Sequence, residues 1–254
     1  MNSYYYNNYR ITELSYFEYK NLVKNLFTED LDTINKVFED ILQSQVNVKY
    51  LSIENKFKCL IFLRSLTLGE EFNLSYKEKN YNFNVNNILE NIFLNEEDYD
   101  TESIDLTKSN KFYINDTLNE LINNIKGITL KNKYYDFTEF AKEQKKELLD
   151  NITDINIVDV SNKMLGDISN NYLKILDLKL NLHNGDILTF LKNIFYSDLN
   201  NLYDLEYFLI KNLNLNTNDF KNYSLSELKI LMNKVIEEYK ESNKNDNTGI
   251  PLSR

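Results

Sequence analysis

Cysteine, histidine, glycine, proline and tryptophan are almost missing from this sequence. Its 254 residues include one Cys, one His, five Gly, one Pro and no Trp. Each scarcity removes a class of chemistry. A lone thiol, Cys59, excludes a disulfide framework and any zinc site built on paired thiolates. A lone imidazole, His183, excludes metal centres that need two. Five glycines leave little room for a phosphate-cradling loop, so nucleotide hydrolysis is disfavoured. No stretch approaches the roughly 20 apolar residues of a membrane helix. Met1 to Arg10 is polar and Tyr-rich rather than charged and then apolar, unlike a signal peptide, so a cytosolic protein is expected. Positive charge is short as well: 29 Lys plus Arg face 39 Asp plus Glu, a net charge of −10. Binding to nucleic acid rests on neutralising phosphates. Neither nucleic acid nor a membrane is an expected partner, and no cofactor or metal is expected.

Apolar and aromatic side chains are plentiful: 42% of residues are hydrophobic, with 19 Tyr and 15 Phe. A chain of this length buries roughly 70–75% of its unfolded surface, and this one has the side chains to do so, which argues against wholesale disorder. Asn, Lys, Ile, Tyr and Phe come from A/T-rich codons, whereas Gly, Pro, Ala, Arg and Trp come from G/C-rich ones. A single Ala, Ala141, fits an A/T-rich genome such as that of a phage, a parasite or a low-GC bacterium. Triplets such as Asn73-Leu-Ser75 and Asn151-Ile-Thr153 follow from the Asn content and carry little weight as glycosylation sites.

Periodicity predicts a mainly α protein with a small antiparallel β component. After a flexible start over residues 1–10, an N-terminal helical lobe with a β-hairpin is expected over 11–94. Ser15-x-x-Glu18 reads as a capping box opening a helix that carries Leu22, Val23, Leu26 and Phe27. A second helix from Asp32, with Ile34, Val37, Phe38, Ile41 and Leu42 on one face, completes a helical hairpin. A third runs from Ser52 to Gly69, a natural C-terminal cap. Alternation in Glu71–Tyr76 and Tyr81–Val85, with Lys77–Asn80 as the turn, is the best hairpin signal in the chain. An acidic loop is expected over 95–110, then a mainly helical C-terminal lobe over 111–241. Its helices are placed at about Asp116 to Lys126, Thr138 to Asn151, Asp154 to Leu165, Ile187 to Phe195, Ser197 to Leu213, and from a second capping box, Ser224-x-x-Glu227, to Tyr239. Tyr172 to Leu182 fits strand or helix, with strand favoured. Residues 242–254 read as a polar tail.

Few constellations suggest chemistry. His183 stands in turn sequence with no Ser or Cys nucleophile motif beside it. Cys59 lies among Phe57, Leu60 and Ile61, where a thiol behaves as a small hydrophobe. Asp98-x-Asp100-x-Glu102 resembles the start of a calcium loop, but Ser103 stands where the turn glycine belongs and Ser109 where the bidentate Glu belongs. Arg64, inside the apolar run Leu60 to Gly69, is expected either to pair with a carboxylate or to cap backbone carbonyls, the alternative being a side chain that snorkels past the helix end.

Three stretches resemble the tail baseplate hub proteins of T-even-like contractile-tailed bacteriophages, a family also implicated in hub assembly. The first is Tyr9-Arg-Ile-Thr-Glu-Leu-Ser15 leading into Tyr19-Lys-Asn-Leu22. The second is Leu51 to Lys56 followed by Leu60 to Gly69 and Glu70 to Leu74. The third is Phe190-Leu-Lys-Asn-Ile-Phe195, then Leu202-Tyr203, and finally Ser224 to Leu228 running to Glu237-Glu238. Members of that family carry Cys pairs at places occupied here by Tyr76–Lys79 and His183–Asp186, so a metal implied by the family does not carry over. The resemblance implies a non-enzymatic tail protein, a hub subunit or hub-assembly factor, whose partners are other baseplate proteins. Interaction candidates on this basis are Arg64, Gly69, Phe72, Tyr81, Phe190, Phe195 and Tyr203, around the Phe72–Val85 hairpin and on the closing helices. Two alternatives are a cytosolic adaptor of an A/T-rich organism and an enzyme using scattered carboxylates such as Asp98, Asp100, Glu143 and Asp150.

Overall fold

Ser15 and Glu18 start the first helix by satisfying each other's backbone. In the computed structural model Ser15 N donates to Glu18 Oε2 at 2.8 Å and Glu18 N donates to Ser15 Oγ at 3.2 Å. The structure describes residues 2–47, 51–95, 104–106, 112–113, 122, 125–130, 133–151, 172–182 and 185–246. Its first half runs β1 (Ser3–Tyr6), β2 (Tyr9–Thr12), α1 (Tyr16–Asn25), α2 (Leu31–Gln45), α3 (Ile53–Leu68), β3 (Glu71–Tyr76), β4 (Lys79–Asn84), α4 (Val85–Glu90) and β5 (Ile92–Asn95). Then come β6 (Ile104–Leu106), β7 (Ile125–Leu130), β8 (Lys133–Asp136), α5 (Lys142–Asp150), β9 (Tyr172–Ile175) and β10 (Leu178–Asn181). The closing elements are α6 (Asp186–Phe195), α7 (Leu199–Leu213), α8 (Thr217–Phe220) and α9 (Leu225–Asp246). The fold is mainly α, with small antiparallel sheets of two or three strands.

The second capping box is also made: Ser224 N donates to Glu227 Oε2 at 2.8 Å, and Glu227 N to Ser224 Oγ at 3.2 Å. The two boxes lie side by side, because Ser15 and Ser224 form an antiparallel bridge and Tyr16 N donates to Tyr223 O at 2.7 Å. Glu13, buried just before the first box, accepts from Ser226 Oγ at 2.9 Å. Helix starts from the two ends of the chain therefore fasten to one another, and the buried core extends from Ile11 to Leu228.

Several expectations change. The flexible start expected over 1–10 gives way to structure, since Ser3–Tyr6 pairs with Tyr9–Thr12 in a hairpin turned at Asn7, whose φ is 52°. The α2 helix starts on Asp30, whose side chain accepts from Thr33 N. The hairpin turn is only Lys77-Glu78, and β4 begins at Lys79 and ends at Asn84, whose side chain caps α4 by accepting from Asn86 N. The 95–110 stretch contains a strand, β6, and Ile125 and Lys126 belong to β7 rather than to a helix. Among the described residues of 111–241, helices predominate and four strands, β7 to β10, stand beside them. Thr138 does not cap a helix: its N–H and hydroxyl donate to Asp136 in a turn, and α5 starts only at Lys142. Tyr172–Leu182 takes the favoured strand form, as a pair turned at Leu176, φ 54°. The last helix continues to Asp246, into the expected polar tail. The helix expected at Asp154 to Leu165 lies outside the described residues.

The two-lobe division changes as well. Strand β5 is the sheet neighbour of β9, with Asn95 opposite Tyr172. The chain thus departs at residue 95 and returns at residue 172 at adjacent points of one sheet. Between them, β6, β7 and β8 form an antiparallel sheet, and Ile125, Ile128, Phe137 and Leu149 are buried without belonging to the main core cluster.

The scarcity of glycine leaves a mark on the β3–β4 turn. Lys77 and Glu78 both have positive φ, 47° and 64°, in a two-residue loop that favours Asn-Gly because a Cβ in the left-handed region clashes. Glu78→Gly is expected to raise stability by about 0.5–1 kcal/mol, read as a higher urea midpoint with an unchanged slope.

Candidate functional site: the groove between the closing helices

Asp198 starts α7 by accepting from Asn200 N at 2.9 Å. The helix ends at Asn214 in left-handed conformation, φ 51°. Along it, Leu202 and Leu209 are buried and Leu205 and Phe208 are half-buried. Asn216 then caps the short α8, whose Phe220 is buried against Tyr16 at a ring separation of 5.9 Å. This turn returns the chain so that α9 packs against both α7 and α3.

The packing leaves an open groove of about 490 Å³, lined by Leu202, Leu205 and Phe208 of α7, Leu225 and Met232 of α9, and Leu68 at the end of α3. Asn201, Asp204 and Lys229 stand at its exposed margin. Ser197 also lines it, and among the described residues no histidine or cysteine does. It offers an apolar trough with a polar edge, suited to receiving apolar side chains.

No family model, no curated protein and no solved structure matches this chain.

The polar clusters elsewhere hold the fold together. Arg64 is buried, with 6% exposure. Its Nε donates to Ile194 O at 3.3 Å, its Nη1 donates to Gly69 O, and its guanidinium carbon lies 4.5 Å from the centre of the Phe72 ring. Of the partners expected, it takes the carbonyls. These carbonyls end α6 and follow α3, so the cation meets the negative ends of two helices. Burial draws its pKa down, opposed by Tyr19. Tyr19 donates to Phe195 O at 3.1 Å, and burial pushes its phenol up to about 12. Cys59 is buried in α3, and burial likewise pushes its thiol up to about 12.

Asp186 is the first residue of α6. Its Oδ2 lies 2.8 Å from Lys77 Nζ and accepts from Asn181 N at 3.4 Å, which ties the strained β3–β4 turn and the β10 edge to one helix N-terminus. Burial opposes the charge, but Lys77, the Tyr76 hydroxyl beside it and the Asn181 N–H outweigh it, so its pKa falls below the usual carboxylate value. A carboxyl shifted in this direction stabilises fully above its unfolded pKa near 4 and loses that contribution as pH falls through the lower folded value. Asp186→Asn is therefore expected to cost about 1 kcal/mol at pH 7, Lys77 being well solvated. The gap to the native protein should close in urea titrations carried below about pH 4.

The candidates named from sequence separate into two groups. Phe72, Phe190 and Phe195 are buried: Phe190 lies 5.7 Å from Phe57 and 6.1 Å from Phe83, and Phe195 lies 5.7 Å from Phe38. These three are core residues rather than a docking surface. Tyr81 is half-buried and stacks on Phe83 at 5.4 Å. Gly69 is an exposed C-cap with φ 101°. Only Tyr203, 46% exposed on α7, stands at the surface of the closing helices. Sequence reasoning missed Phe208, Met232 and Leu68. The signal was present in the density of apolar residues between Leu199 and Leu213, more than one face of a helix buries.

Glu143 is exposed on α5, while Asp98, Asp100, His183 and the side chain of Asp150 lie outside the described residues. Among the described residues there is no group of three or more His, Cys, Asp or Glu able to hold a metal ion, and no helix long and apolar enough to cross a membrane.

Proposed function

We propose that this protein is a non-enzymatic binding protein whose groove between α7 and α9 receives an apolar row of side chains from a partner protein. The resemblance in sequence makes that partner another tail protein and the chain a baseplate hub subunit or hub-assembly factor of a contractile-tailed phage. The observation that carries the reading is the groove itself: an open trough lined by Leu68, Leu202, Leu205, Phe208, Leu225 and Met232. Such a surface gains by excluding water when apolar side chains fill it. The net charge of −10 supports a protein partner over nucleic acid.

Co-expression with the baseplate proteins encoded near its gene tests the reading. The native chain is expected to co-purify with at least one of them. Phe208→Glu combined with Met232→Glu, both half-buried groove positions, is expected to abolish that association while helical circular dichroism is retained. Association that survives both substitutions, or a native chain that recovers no tail protein, would overturn it. Flanking tail-tube, sheath or tail-lysozyme genes are expected.

A further inference from the structure

The flank of α7 turned away from the groove carries a second surface. Tyr203, Tyr207 and Ile210 recur at i, i+4 and i+7 and are 46%, 64% and 45% exposed. Lysines lie on these rings. Lys20 Nζ stands 4.1 Å and Lys24 Nζ 6.0 Å from the centre of the Tyr203 ring, and Lys211 Nζ stands 5.5 Å from that of Tyr207. Lys20 is also paired with Glu206 at 2.7 Å. Lys24 and Lys211, among the described residues, have no ion pair. An acidic chain thus presents an aromatic stripe edged by two cations that form no ion pair among the described residues.

We propose that this stripe docks an amphipathic helix of a protein partner whose apolar row is flanked by Glu or Asp. The inference rests on the reading of the chain as a binding protein but uses a different surface from the groove. The row at i, i+4 and i+7 matches the ridge spacing by which one helix packs on another. An apolar row laid on the tyrosines desolvates Lys24 and Lys211, and carboxylates beside that row supply the charge they then need. A second copy of this chain fits poorly, because a two-fold contact through the same face sets these lysines against their own copies. Single-stranded nucleic acid can stack on tyrosine, but two lysines neutralise few phosphates and the chain as a whole repels a polyanion.

The test uses the full chain and a labelled synthetic helix of about 20 residues with a Leu row flanked by Glu, set beside the same peptide with Lys in place of Glu and beside an oligo-dT strand. Fluorescence anisotropy is expected to show saturable binding of the Glu peptide alone. That binding should weaken about tenfold in Lys24→Glu/Lys211→Glu, and also in Tyr207→Ala and at high salt. Because the groove lies on the other flank, Phe208→Glu/Met232→Glu should leave it unchanged, so loss of tail-protein association and loss of peptide binding are separate results. Equal binding of the Glu and Lys peptides, no binding of either, binding of oligo-dT in place of the Glu peptide, or an unchanged affinity in the charge-reversed variant would overturn the proposal. Thermal unfolding of each variant confirms that an altered affinity is not an unfolded chain.

Discussion

Phe190→Ala is expected to cost about 3–5 kcal/mol of stability. The Phe190 ring has no exposed surface and joins three elements, packing on Phe57 of α3 and on Phe83 of β4 from its own place in α6. Phe83 in turn lies 5.3 Å from Phe72 and 5.4 Å from Tyr81, so truncation empties the centre of an aromatic cluster. The loss combines the transfer free energy of the ring with a cavity its stiff neighbours cannot fill. Urea unfolding should show a lower midpoint with the slope retained. As an interface residue, the role first expected for it, Phe190 would give a variant of native stability and weakened association. A loss below about 1 kcal/mol would contradict its place in the core.

Arg64→Met is expected to cost about 2–4 kcal/mol, the second largest effect. Two terms oppose each other. Removing a buried guanidinium relieves the cost of keeping a cation out of water. It also strips Ile194 O and Gly69 O of their donor and leaves two helix ends without their positive partner, and each orphaned acceptor costs about 1–3 kcal/mol. The second term wins because the arginine gains from two carbonyls, two helix dipoles and the Phe72 face together. Arg64→Lys should recover little, since a single ammonium lacks the fork that spans both carbonyls. Native stability in Arg64→Met would mean that the desolvation cost dominates.

Much of the helical frame was legible because its signals are local. Both capping boxes, the Gly69 stop and the Glu71–Tyr76 alternation are set by residues within a few positions of each other, and each forms close to where its spacing predicts. What went unread lacks a strong local signature. The Ser3–Thr12 hairpin lacks a glycine turn and relies on Asn7, and within Tyr172–Leu182, where a strand is favoured, the turn that divides it places a leucine, Leu176, in the left-handed region. In a chain with five glycines, turns do not announce themselves. Strand β5 is a short apolar run whose identity as a strand depends on β9, far along the chain. Thr138 looked like a helix cap because Ser and Thr also close turns by the same hydrogen bonds.

The site was legible only in outline. The closing helices do form the groove, but spacing alone could not tell which of their aromatics faces inward. Phe190 and Phe195 were indistinguishable in sequence from Tyr203 and Phe208. The difference arises from how α6 lies under the β3–β4 hairpin, whereas α7 lies at the edge of the core.

If the chain is the phage tail protein proposed above, deleting its gene from that phage and examining the particles made is the most direct test of the central claim. The account predicts that hub or baseplate assembly stalls, that no infectious tails form, and that a copy encoding Phe208→Glu with Met232→Glu fails to restore them. Complete, infectious tails assembled without this protein would contradict it.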